Sequence, residues 1–138
     1  MNPVELIHLA KQAMQRAYTP YSGYKVGAAL VTKQGDVYLG CNIENAAFGP
    51  SNCAERTAFF TAVYEGERAF AAIAVVGGRD GVVTDIFPPC GVCRQVMQEF
   101  CGPDFMIYMG RGDDSFEAVR LDALLPYGFC AKEYMNET

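Results

Sequence analysis

Two cysteine motifs set far apart, Cys53-Ala54-Glu55 and Pro88-Pro89-Cys90-Gly91-Val92-Cys93, constrain this chain more than any other feature. If their three thiols serve one metal ion, the fold must carry the two segments to a common point. Both motifs fall at predicted helix starts. In mid-helix, residues two apart point to nearly opposite sides, so Cys53 and Glu55 could not share a target there. In a first turn both can lean over the open end, which puts the metal off the N-terminal mouths of two helices. Each mouth offers free N–H donors and about half a positive charge, and both lower a thiol's pKa. Zinc held by three protein ligands keeps a fourth position for water, whose pKa falls from ~15.7 to ~7. Glu55 stands where it can take that proton.

Three thiolates on a divalent ion leave an excess negative charge. Arg56, a fixed cation one residue past Glu55, is the natural donor to the ligand sulfurs; Arg94, next to the last ligand, is a weaker one. Other readings of the same residues exist. A closed structural zinc site needs a fourth ligand from Cys41, Cys101, Cys130 or His8, none of them well placed. A redox pair at Cys90 and Cys93 would leave Cys53-Ala54-Glu55 idle. Glu55 alone could be an ordinary first-turn acid favoured by the helix dipole.

A chain of 138 residues, about half hydrophobic and one fifth charged, reads as a single globular domain over residues 1–138. No apolar run nears the ~20 residues that span a bilayer, and the N-terminus lacks the marks of a signal peptide, so a cytoplasmic protein without a membrane partner is expected. In a reducing compartment the six cysteines point to metal binding, not to disulfides. A net charge of −5 with scattered Lys and Arg disfavours nucleic acid and favours a small-molecule substrate.

Asn2 as cap, Pro3 and Glu5 open a helix whose apolar face runs from Leu6 to Ala17 and which stops before Thr19-Pro20. Strands are expected over Tyr24–Thr32 and Val37–Glu44, joined by the turn Lys33-Gln34-Gly35-Asp36. An irregular stretch, 45–52, precedes a second helix from Cys53 to about Glu65. A buried strand, Ala71–Val76, leads through a loop, 77–89, into a third helix over Gly91–Phe100. Phe105–Met109 and Phe116–Leu121 are further strands, and Asp122 could cap a short last helix through Leu125. The Arg-Gly-Asp triplet at 111–113 reads as a turn, and His8 as a solvated residue. This order predicts an α/β fold with helices on both faces of one mixed sheet.

At these residues the chain resembles the cytidine deaminases, free-nucleoside enzymes of pyrimidine salvage. The likeness is carried by Pro20-Tyr21-Ser22, Val26-Gly27-Ala28-Ala29, Gly40-Cys41-Asn42-Ile43-Glu44-Asn45, Cys53-Ala54-Glu55-Arg56 and Pro89-Cys90-Gly91-Val92-Cys93-Arg94-Gln95, with Leu124-Leu125-Pro126 and Phe129 near the end. The resemblance implies a three-layer α/β/α fold around a five-stranded mixed sheet. It implies one zinc ion per chain held by Cys53, Cys90 and Cys93, with Glu55 as proton shuttle. The reaction implied is hydrolytic deamination of cytidine and 2′-deoxycytidine to the uridine nucleosides with release of ammonia.

Substrate contacts follow from the same likeness. Asn42 and Glu44 would bind the ribose; two apart on a strand, they would share one face. Read without the family, they are a polar strand end. Tyr24, usually Phe in relatives, would pack against the nucleoside, and the backbone at Ala54 would read the base edge. Phe48, often Tyr, and the tail aromatic Phe129 would complete pockets across subunits of a homotetramer, the branch with three cysteine ligands. For these three rings, core or interface packing is the alternative. A blasticidin-type nucleoside deaminase and a non-catalytic zinc-stabilised binding module are the alternative functions.

Overall fold

The computed structural model describes residues 1–131. Its order is α1 (Pro3–Met14), β1 (Tyr24–Thr32), β2 (Val37–Cys41), α2 (Ala54–Tyr64), β3 (Phe70–Arg79), α3 (Gly91–Phe100), β4 (Met106–Gly110), β5 (Phe116–Arg120) and α4 (Leu121–Leu124). The strands form one five-stranded sheet in the order β2-β1-β3-β4-β5. β3 and β4 are parallel and the other neighbouring pairs antiparallel, so the sheet is mixed as expected.

Alternation along the two central strands builds a core on each side. Val26, Ala28 and Leu30 of β1, with Ile73 and Val75 of β3, face α2, α3 and α4. Ala29 and Val31, with Ala72, Ala74 and Val76, face the α1 residues Leu6, Ile7, Ala10 and Met14. The α1 side is built largely from alanines and valines, which lets that helix lie close to the sheet. On the other side Gly40 serves the same end. A Cβ there would stand 2.3 Å from the Ala54 carbonyl oxygen and 2.5 Å from the Ala58 amide, so only glycine lets β2 meet α2.

Several boundaries differ from expectation. α1 ends at Met14, and the chain then tightens: the amides of Arg16 and Ala17 reach back three residues to Ala13 and Met14 at 3.0 and 3.1 Å. Asn2 caps it as predicted, and Asn2 and Glu5 together form a capping box. β2 stops at Cys41 instead of Glu44 because the Asn42 side chain takes over the pairing. Its Oδ1 accepts from the Val26 amide at 2.9 Å, and its Nδ2 donates to the Tyr24 carbonyl at 2.8 Å. β3 runs on through Gly77 and Gly78 to Arg79, where a loop was expected, since β1 offers a pairing partner as far as Tyr24 opposite Arg79. Arg120, not Asp122, occupies the cap position of α4; Asp122 lies in the first turn and accepts from the Arg120 guanidinium at 3.1 Å.

The Arg-Gly-Asp triplet is indeed a turn. Its Arg111 is committed to Asp85 and Glu117 at 3.2 and 2.8 Å. His8, expected to be solvated, is half exposed but lies 3.2 Å from Asp114, which also accepts from Lys11. Among the described residues no helix is long and apolar enough to cross a membrane.

Candidate active site

Topology brings the cysteine motifs together. β2 and β3 both run antiparallel to β1, hence in one direction, and α2 and α3 begin beyond their carboxyl ends on the same side of the sheet. The two N-terminal mouths therefore open side by side. Cys53 is the N-cap residue of α2, Cys90 that of α3, and Cys93 lies in the first turn of α3. The three sulfurs lie within 4.8 Å of one another. Cys53 and Cys90 are 3.7 Å apart, Cys90 and Cys93 3.5 Å, and all six cysteines are free thiols.

Those separations fit the metal. Thiolates at ~2.3 Å from a tetrahedral zinc ion stand about 3.8 Å from each other. The electrostatics favour the thiolate at Cys53. Hydrogen bonding from Cys93, then from Arg56 and Cys90, holds the Cys53 thiol below its ordinary range against the opposing effect of burial. The same pairing with Cys53, with burial, pushes Cys93 up. The Arg56 guanidinium donates through Nη2 to the Cys53 sulfur at 3.2 Å, while its Nε is buried with no hydrogen-bond partner among the described residues. Arg94 turns away from the sulfurs and links backbone instead. It donates to the carbonyls of Pro89 at 2.8 Å and Leu124 at 2.7 Å, tying the segment before Cys90 to α4.

Glu55 is 3 % exposed, a carboxyl buried at the mouth of α2. Burial first, and the charge on Cys53 second, push its pKa up to about 7. An acid of that kind can both accept and release a proton near neutrality.

Beside it opens a cavity of about 360 Å³, within the ~300–1,000 Å³ typical of small-molecule sites. Cys53, Ala54, Glu55, Arg56 and Cys90 line one part of it, and Tyr24, Asn42, Glu44 and Phe48 line another. Asn42 and Glu44 thus share one cavity although neither lies on a strand. Ile43 between them bridges Asn52 and Tyr18, which turns both neighbours the same way. Glu44 is held by the amides of Tyr21 and Ser22 at 3.0 and 3.1 Å and by the Ser22 hydroxyl. The Ser22 hydroxyl chiefly keeps its carboxyl below the usual range. Phe48 lines the cavity while 91 % exposed; Phe129 is exposed and is not part of the cavity of its own chain.

Sequence reasoning passed over Ser22 and Phe87. Ser22 lies in Pro20-Tyr21-Ser22, but its bond to Glu44 spans a gap that no local pattern reports. Phe87 lines the cavity next to Pro88 and had no signal beyond its place before the second cysteine motif.

A mixed sheet that seats three thiols at two helix mouths beside a buried carboxyl defines a zinc-dependent hydrolytic deaminase. The chain belongs to the cytidine and deoxycytidylate deaminase family: the model of that family's zinc-binding region matches residues 2–109. A cytidine deaminase of Halalkalibacterium halodurans is 48% identical over 132 residues, covering 96% of each chain. One from Sporosarcina psychrophila is 45% identical over 133 residues, 96% of this chain and 95% of the relative. The crystal structure of the cytidine deaminase from Burkholderia pseudomallei superposes with a TM-score of 0.86 at 46% identity, covering 94% of this chain and 100% of that one.

Proposed function

We propose that this deaminase acts on free cytidine and 2′-deoxycytidine, converting each with water to the corresponding uridine nucleoside and ammonia. The observation that carries the reading is the buried Glu55 carboxyl beside three convergent sulfurs, opening on a cavity of nucleoside size. Cys53, Cys90 and Cys93 hold the zinc, which when bound supplies a Lewis acid and a water acidified toward neutrality. Glu55 moves the protons: it delivers one to N3 of cytosine, which lowers the bond order at C4, and later one to the amine that leaves as ammonia. Arg56 balances the charge of the sulfurs. Asn42 and Glu44 take the sugar hydroxyls, an amide and a carboxylate suiting groups that both donate and accept. Tyr24 packs on the nucleoside, and the Ala54 backbone meets the base edge.

The tail aromatic Phe129 and the rim residue Phe48 serve a second purpose, completing cavities between chains of a homotetramer. The exposure of both rings, and the absence of Phe129 from its own chain's cavity, support that reading. The reaction belongs to pyrimidine salvage in the cytoplasm. Neither a blasticidin-type substrate nor a non-catalytic zinc module is favoured by the relatives.

The test pairs ammonia release from cytidine with zinc per chain. Glu55→Gln is expected to keep zinc and fold and to lower turnover by ~10²–10⁴-fold. Loss of the metal in this variant would make Glu55 a ligand and overturn the assignment.

A further inference from the structure

The hydroxyl of Tyr24 has a partner that none of the roles above uses. Tyr24 and Arg79 are directly opposed at the last rung of the β1–β3 pairing, where facing side chains interact. The Arg79 guanidinium carbon lies 4.6 Å from the centre of the Tyr24 ring. Its Nη2 donates to the Tyr24 hydroxyl at 3.3 Å. Among the described residues Arg79 makes no ion pair with a carboxylate, so its charge is directed at the ring. The stretch behind Arg79 is also fixed, since the Asp80 amide donates to the Gly23 carbonyl at 2.7 Å and ties the end of β3 to the chain just before Tyr24.

The ring meets Phe87 as well, at 6.3 Å between centroids. Phe87 can lie there because residue 77 is glycine: a Cβ at Gly77 would stand 2.8 Å from the Phe87 ring. Tyr24 is thus held by a cation and by a second aromatic ring, and it separates the nucleoside cavity from a further hollow of about 420 Å³ lined by Arg79, Asp80, Thr84 and Asp85.

We infer that Arg79 is a positioning residue for substrate, fixing the Tyr24 ring as a rigid wall of the nucleoside cavity. Without it, the half-exposed ring can swing toward the neighbouring hollow. This rests on the role proposed for Tyr24. A wall that meets substrate and transition state alike changes binding and leaves the chemical step alone. Lysine cannot replace arginine here, because the planar fork both covers the ring and reaches the hydroxyl.

The test is steady-state kinetics on cytidine with zinc-loaded protein. Arg79→Met and Arg79→Lys are expected to raise KM about 3- to 10-fold, with kcat within about 2-fold of the parent. In a Tyr24→Ala background, Arg79→Met is expected to add nothing to KM, whereas a merely structural role for Arg79 would persist there. An unchanged KM in Arg79→Met, or an equal rise in the Tyr24→Ala background, overturns the inference. A parent protein with full zinc and no cytidine turnover instead overturns the substrate assignment. In that event the NMR line shape of the Tyr24 ring, compared between the parent and Arg79→Met, still decides the role of Arg79: a ring no more mobile in the variant overturns the inference.

Discussion

Arg56 reaches the sulfur cluster from behind the residues that form it. Its Nη2 contacts the Cys53 sulfur, its side chain is partly buried, and its Nε finds no acceptor among the described residues. A buried donor without a partner costs on the order of 1–3 kcal/mol, a cost set against the charge that Arg56 brings to the sulfurs. Three thiolates make zinc a poor acid unless a cation draws their charge away. Arg56→Gln is therefore expected to depress turnover severalfold more than it depresses zinc content, with metal analysis and ammonia release measured on the same sample. Parallel loss of both would make Arg56 a prop for the loop. That Cys53, Cys90, Cys93, Glu55 and Arg56 come together could be read from the chain because they are written in two short motifs. Phe87, Ser22 and Arg79 could not, since each acts through a partner that only the folded sheet supplies.

The secondary elements were legible wherever pattern and pairing agree. Asn2, Pro3 and Glu5 announce α1, and the alternation of β1 announces a strand covered on both faces. Errors gathered where tertiary partners overrule local preference. Gly77 and Gly78 read as loop yet continue β3, because β1 supplies hydrogen bonds that outweigh the poor strand propensity of glycine. Asn42 reads as strand yet ends β2, because its amide replaces a backbone rung. The contact between β2 and α2 is the element on which Cys53 depends. Gly40→Ala would drive a methyl group into the Ala54 carbonyl at the start of that helix. Overpacking of this kind costs about 1–3 kcal/mol. A lowered thermal midpoint should come with weaker zinc retention in a chelator competition; a lower midpoint with unchanged retention would separate the helix contact from the metal.

For the whole molecule, the two cores on either side of the sheet account for one chain, and several aromatic residues stay exposed outside them. Phe48, Tyr127 and Phe129 are largely exposed, and Gln95 holds the Phe129 carbonyl at 3.0 Å against α3. In the homotetramer proposed above, Phe129→Ala should lower kcat/KM for cytidine by about tenfold while zinc content stays constant. That is the scale expected when a packed aromatic is lost from a binding site. Sedimentation at assay concentration should report four chains; a fully active single chain would refute the shared cavity.

The clamp on Glu44 carries a consequence for the charge of whatever enters. Two amides and a hydroxyl favour the ionised form of this carboxylate, and it forms part of the cavity wall. A phosphate group brought alongside meets a fixed anion in a protein that is itself negative overall. On the reading proposed above, that repulsion favours the free nucleoside over its phosphorylated forms, and a turnover of cytidine 5′-monophosphate equal to that of cytidine would refute it.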